Sequence, residues 1–227
     1  RETLLINNTG VADGGNFEQV SQADFDWLMS INFGAVVKMT RAFLPLLRAS
    51  GQAARIVNVS SLFGLVSPPG QAAYSASKFA VRGFSNALRH ELRGSNVGVT
   101  VVHPGGVATS IAASARVPQG VDPAEVAQRK QELARLLRMP PDQAAETVVR
   151  GIERDSARVL VGGDARFAAL LERLMPVSHW SALRWRCTSE GPPTSVIPPT
   201  CCTDSASRCS PCSRAPSSRV CSRWAAT

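Results

Sequence analysis

Tyr74 and Lys78, in the string Tyr-Ser-Ala-Ser-Lys, are the residues of this sequence best suited to proton transfer. Side chains four apart on a helix share one face, so both can reach one site. A free phenol titrates near pH ~10, too high for easy exchange at neutrality, and a neighbouring ammonium is expected to lower it. Such a pair supplies general acid–base chemistry for a hydroxyl proton. Ser61 lies thirteen residues before Tyr74, at the end of an apolar run, and offers a hydroxyl to a carbonyl held beside the phenol. The adjacent Ser60 reads as a turn starter. Further on, His103-Pro104-Gly105-Gly106-Val107-Ala108-Thr109 combines a forced turn with small residues, which lets a flat ring approach the backbone. The lone His103 there reads as structural.

These residues need a scaffold, and the patterning supplies one. Leu4–Ile6, residues 55–59, 98–102 and 158–161 are short apolar, β-branched runs that read as strands. Apolar residues recur at three- and four-residue steps over 21–47 and 74–93, predicting two long helices, and further helices are predicted over 122–139, 141–154 and 164–175. Ser21 followed by Asp24 reads as a helix N-cap. Strands alternating with helices imply a parallel α/β sheet covered on both faces. Ligands of such sheets sit at the carboxyl ends of the strands, and the loops 7–15, 60–73 and 103–112 all follow strands.

Composition narrows the function classes. The net charge of +8 divides equally between residues 1–177 and the much shorter 178–227, so the body is only mildly basic and its charges are scattered. That disfavours nucleic-acid binding, which needs clustered Lys and Arg. No run approaches the roughly 20 apolar residues of a membrane span, and no signal peptide is apparent. The expected location is the cytoplasm. All six cysteines follow residue 186. Cys209 and Cys212 have a C-x-x-C spacing without a second pair, so no metal site is expected. Residues 178–227 are rich in Ser, Pro, Cys and Arg and show no period. This segment is expected to be disordered, and the abrupt change of usage suggests out-of-frame translation.

The order and spacing of Asn7-Asn8-Thr9-Gly10, Asn32, Ser61, Tyr74-x-x-x-Lys78 and Pro104-Gly105-x-Val107-x-Thr109 resemble the short-chain dehydrogenase/reductase family over roughly residues 4–177. The resemblance implies a Rossmann-like, doubly wound parallel sheet and NAD(P)-dependent hydride transfer between nicotinamide and a carbonyl or alcohol. It implies Tyr74 as acid/base, with Lys78 lowering its pKa and binding the nicotinamide ribose. Ser61 would polarise the substrate carbonyl, and Asn32 would hold a relay water. Asn7, Asn8 and Gly10 would line the cofactor, and Asn7 and Asn8 would also brace the sheet. Pro104, Gly105, Val107 and Thr109 would form the nicotinamide turn. Residues 110–139 would form an apolar substrate lid, and an intact relative would be a homo-oligomer through its two long helices.

Two departures qualify this. Thr9 replaces the alanine of the family's Asn-Asn-Ala-Gly string, adding bulk near the cofactor. No G-x-x-x-G-x-G occurs in the chain, and the expectation is of an incomplete domain that lacks the first strands and the glycine-rich phosphate loop. The expectations are weakened or lost NAD or NADP binding, an open apolar edge at Leu4–Ile6 and poor solubility. A non-enzymatic remnant that partners intact relatives is the alternative.

Overall fold

A computed structural model describes residues 3–178 except 118, 119 and 122. All of these lie in the first of two units, Arg1–Ser189 and Glu190–Thr227, so the expectations for the tail fall almost wholly outside the described residues. The strands are β1 (Leu4–Asn7), β2 (Ala54–Val59), β3 (Val97–Pro104) and β4 (Arg158–Val161). They pair in the order β1-β2-β3-β4, all parallel, with Leu5 beside Ile56, Ile56 beside Val99 and Val102 beside Val159. Helices α1 (Gln22–Met29), α2 (Ala35–Ala49) and α3 (Ala72–Glu91) lie between the first three strands in sequence, and α4 (Pro123–Leu136) and α5 (Pro141–Glu153) between the last two. Helix α6 (Gly163–Leu174) follows β4.

Successive strand residues face opposite ways, and the core divides accordingly. Leu5, Ile56 and Val99 pack with Leu47 of α2 and Leu88 of α3 on one face. Val57, Val102 and Val159 pack with Ala144, Val148 and Ile152 of α5 on the other. Both faces therefore carry helices, as a doubly wound α/β sheet requires. On β1 the cover is one-sided: Leu5 and Asn7 are buried, while the alternating Leu4 and Ile6 are 43% and 48% exposed.

Three predicted elements need adjustment. The helix expected over 21–47 is interrupted by a π-turn at Ser30–Gly34, between α1 and α2. Apolar residues keep three- and four-residue spacings on either side of the π-turn, so the spacing alone did not reveal it. Its start is as expected: the Ser21 hydroxyl accepts the Asp24 N–H at 3.1 Å. Strand β3 runs to Pro104 rather than 102, because the Gly105 N–H continues the ladder to the Val161 carbonyl at 2.9 Å. Helix α3 opens two residues before Tyr74, which puts the tyrosine inside its first turn.

Candidate active site

The carboxyl ends of β1 and β2 bring Gly10, Asn32 and Ser61 together with Tyr74 and Lys78 around the first two turns of α3. Ser61 follows β2, and its hydroxyl lies close enough to the Tyr74 phenol to favour the phenolate. The same hydroxyl accepts the Phe63 N–H at 3.1 Å, which fixes its rotamer. The Phe63 ring meets Tyr74 edge-on, 6.1 Å between centroids. Lys78 is 3% exposed, its Nζ lies 5.7 Å from the Tyr74 ring centroid, and it donates to the Val59 carbonyl at 3.3 Å.

The electrostatics differ from the sequence expectation. Burial pushes the Tyr74 phenol above its ordinary value of 10.0, and the nearby Ser61 hydroxyl only partly offsets this. Burial also lowers Lys78 from 10.5 to about 8. The phenol is thus shifted opposite to the expected direction, because removal from water dominates its environment.

Buried hydrogen bonds hold this cluster in place. The Ser60 hydroxyl, expected only to start a turn, donates to the Lys78 carbonyl at 2.8 Å and ties the end of β2 to α3. A Cβ on Gly64 would fall 2.9 Å from that same carbonyl, so the close approach needs glycine. The Ser77 hydroxyl donates to the Tyr74 carbonyl at 2.7 Å and accepts the Asn32 amide at 3.0 Å. Asn32 also pairs with both backbone groups of Val11, accepting at 2.8 Å and donating at 3.0 Å. The π-turn aims this side chain across to the loop after β1. Its amide therefore braces the loop after β1 against α3, and Ser77 is a part of the site that sequence reading missed. A Cβ on Gly10 would come within 3.2 Å of Lys78 Nζ and 3.6 Å of Asn32 Oδ1, so this predicted residue does sit against the cluster.

Asn7 braces the sheet, donating to Asn58 at 2.8 Å, and Asn58 donates to Ser85 of α3 at 2.9 Å. Asn8 and Thr9 are exposed at the strand end. A lone Asn inside the apolar run of β2 was the signal that could have disclosed Asn58, because an unpaired buried amide would be costly.

Residues 104–109 reach the cluster through β3. His103 is fully buried; its Nδ1–H donates to the Ser61 carbonyl at 2.9 Å, while burial lowers its pKa to about 4. The imidazole is therefore neutral, with Nε2 unprotonated and without a hydrogen-bond partner among the described residues. Beyond Pro104 the chain makes two tight turns: Val107 N–H to Gly105 carbonyl and Thr109 N–H to Val107 carbonyl, each 2.9 Å. Both backbone groups of Val107 are thus engaged locally. The Arg116 N–H bonds the Ala12 carbonyl at 3.1 Å, and its guanidinium pairs with Asp24 at 2.8 Å and stacks 3.5 Å from the Trp27 ring centroid. This pins the start of the expected lid to α1 and the loop after β1.

Whether these residues suit a nicotinamide nucleotide can be judged from Lys78. An ammonium carries three donors, Val59 takes one, and the Gly10 backbone leaves space beside the nitrogen. That arrangement fits a pair of ribose hydroxyls. Among the described residues no cluster of three or more His, Cys, Asp or Glu could hold a metal, and no helix is long and apolar enough to cross a membrane.

Comparison with known proteins agrees with the geometry. Residues 3–120 match the short chain dehydrogenase family. The chain is 44% identical over 177 residues to putative oxidoreductase SadH of Mycobacterium tuberculosis, covering 77% of this chain and 63% of that protein. It therefore spans less than two thirds of this relative. A short chain dehydrogenase/reductase from Burkholderia phymatum, solved in complex with NAD, superposes with a TM-score of 0.66 at 26% identity, over 84% of this chain and 69% of that one. A short chain dehydrogenase from Burkholderia cenocepacia, solved in complex with NADP, gives 0.63 at 26% identity, over 81% and 70%.

Proposed function

Because this chain belongs to the short-chain dehydrogenase family, we propose that it carries the catalytic half of an NAD(P)-dependent oxidoreductase acting on a carbonyl or alcohol. The observation that carries the reading is the buried cluster in which the Ser61 hydroxyl faces the Tyr74 phenol, with Lys78 Nζ 5.7 Å from the same ring, one turn along the helix. A substrate oxygen seated between the two hydroxyls would be held by Ser61 and would exchange its proton with Tyr74. A bound nicotinamide supplies the hydride.

Within that scheme the neutral phenol would give its proton to the substrate oxygen in carbonyl reduction, and the phenolate would take it back in alcohol oxidation. Lys78 would hold the ribose hydroxyls, with Gly10 allowing their approach. Asn32 would act by keeping the loop after β1 against Ser77 of α3. Asn7 would brace β1 against β2, and Asn8 would face the cofactor from the strand end. Pro104, Gly105, Val107 and Thr109 would receive the carboxamide, which requires Val107 to exchange a tight-turn hydrogen bond for one to the ligand. The chain contains no glycine-rich phosphate loop, so we expect its own cofactor affinity to be weak.

The test compares the chain alone with the chain joined to its upstream coding region. Each is titrated with NADH and NADPH by fluorescence, then assayed on a panel of aldehydes and diketones. The joined protein is expected to bind at micromolar concentration and reduce at least one carbonyl, and the chain alone to bind neither nucleotide measurably. Cofactor binding by the joined protein without reduction of any carbonyl would favour the non-enzymatic reading.

A further inference from the structure

We propose that the Asp164 carboxylate is a positioning residue that fixes the 104–109 turn, seated in a socket made by Gly105, Gly106 and Gly162. Only the purpose of the turn, to receive a nicotinamide, rests on the functional reading above. The socket itself is geometric. A Cβ on Gly105 would overlap both carboxylate oxygens, and a Cβ on Gly162 would overlap Oδ1. The Gly106 N–H donates to Oδ2 at 2.6 Å, a short charge-assisted bond, and the Ala165 N–H donates to Oδ1 at 2.8 Å. One oxygen thus holds the loop after β3 and the other the first turn of α6, so the carboxylate joins the ends of two neighbouring strands.

The sequence suggests that glycines stand at 105 and 106 to admit a flat ring. Here a carboxylate occupies the room a side chain at 105 would need. Gly162 adds a second requirement, since its φ of +100° disfavours any side chain. An acid in the first turn of α6 would complement the helix dipole wherever it pointed; that does not explain why Gly105 and Gly162 both leave room for it while the Gly106 N–H binds it. The consequence extends to the lid. The Gly106 carbonyl accepts the Arg138 and Met139 N–H groups, both at 3.0 Å, and the Ala108 N–H donates to the Met139 carbonyl at 2.9 Å. Gly106 is therefore gripped by Asp164 at its N–H and by the end of the 110–139 segment at its carbonyl. Releasing the first grip would loosen both the turn and the exit of the lid.

The test is a double-mutant cycle on the chain itself, with no nucleotide present. Gly105→Ala is expected to lower the unfolding midpoint, and Asp164→Ala is expected to relieve most of that loss in the double variant. By amide exchange followed by NMR, Gly106 should exchange about tenfold faster in Asp164→Ala and near the parent rate in Asp164→Asn, whose carbonyl still accepts. An additive cycle together with unchanged Gly106 exchange in Asp164→Ala overturns the proposal. In the joined protein, Asp164→Ala should raise KM for the nucleotide severalfold with less effect on kcat. If the cycle couples but no nucleotide binds, the socket stands and the oxidoreductase reading fails.

Discussion

The two ends of the sheet are built on opposite principles, and α3 spans both. At the amino ends of the strands the helix buries Leu88 against Ile56, Val97 and Val99. At the carboxyl ends it buries Ser75, Ser77 and Lys78, facing Asn32 and Ser60. The first end is held by area removed from water, the second by hydrogen bonds matched partner by partner. The matching is incomplete: Asp13 Oδ2, Ser75 Oγ and His103 Nε2 are buried without a partner among the described residues, and all three sit at the carboxyl end. Unsatisfied buried polar atoms cost stability. One end therefore secures the fold, and the other gives up stability to hold reactive groups in place.

The strongest way to break this contrast is to truncate one residue at each end. Tyr74→Phe, in the joined protein, is expected to lower kcat by about 10²- to 10⁴-fold with little change in the urea midpoint. Leu88→Ala, at a buried site in the apolar cluster, is expected to cost roughly 2–5 kcal/mol while the folded fraction keeps its turnover. Turnover and urea denaturation on both variants read this directly. Equal stability losses would mean that the two ends are not specialised.

Lys78 sharpens the comparison, because the two principles conflict at one atom. Its depression from 10.5 to about 8 means that the folded chain binds its proton less tightly than the unfolded chain does. The cost is present in full below pH 8 and is relieved as pH rises from 8 towards 10.5. It corresponds to about 3 kcal/mol at neutrality. Lys78→Met should therefore be more stable than the parent at pH 7 by roughly 1–3 kcal/mol, the gain shrinking towards pH 10, and should lose activity. Thermal melts across that range test it; a variant destabilised at every pH would show that the lysine is structural.

How much of this was legible in the sequence follows from the same division. The apolar end was readable because burial imposes a period: Ile56, Val99, Leu88 and Leu47 announce their faces. The Tyr74–Lys78 pair was readable because spacing on a helix is geometry, and Ser61 because it ends a strand. The supports were not. Ser77 and Asn58 look like ordinary polar residues until the fold places them opposite Asn32 and Asn7. The phenol's upward shift needed burial, which spacing does not report. Asp164 lies 58 residues from the glycine whose N–H it binds, so nothing local connects them.

His103 offers the gentlest test, since it needs only acid. It was read from sequence as structural, and its neutral ring donating to the Ser61 carbonyl supports that while linking it to the site. Its folded pKa, lowered to about 4 by burial, lies below its ordinary value of 6.5. Between those values the unfolded chain takes up a proton that the folded chain refuses, so stability falls as pH drops from 6.5 to 4 and then levels off. At pH 5 the loss should be about 2 kcal/mol. His103→Gln, which keeps a donor but cannot titrate, should remove that part of the acid sensitivity. If it also leaves Ser61 in place, the carbonyl reduction proposed for the joined protein should survive in that variant. A parent chain as stable at pH 5 as at pH 7, measured by urea denaturation, would mean that the buried imidazole accepts its proton through the orphaned Nε2.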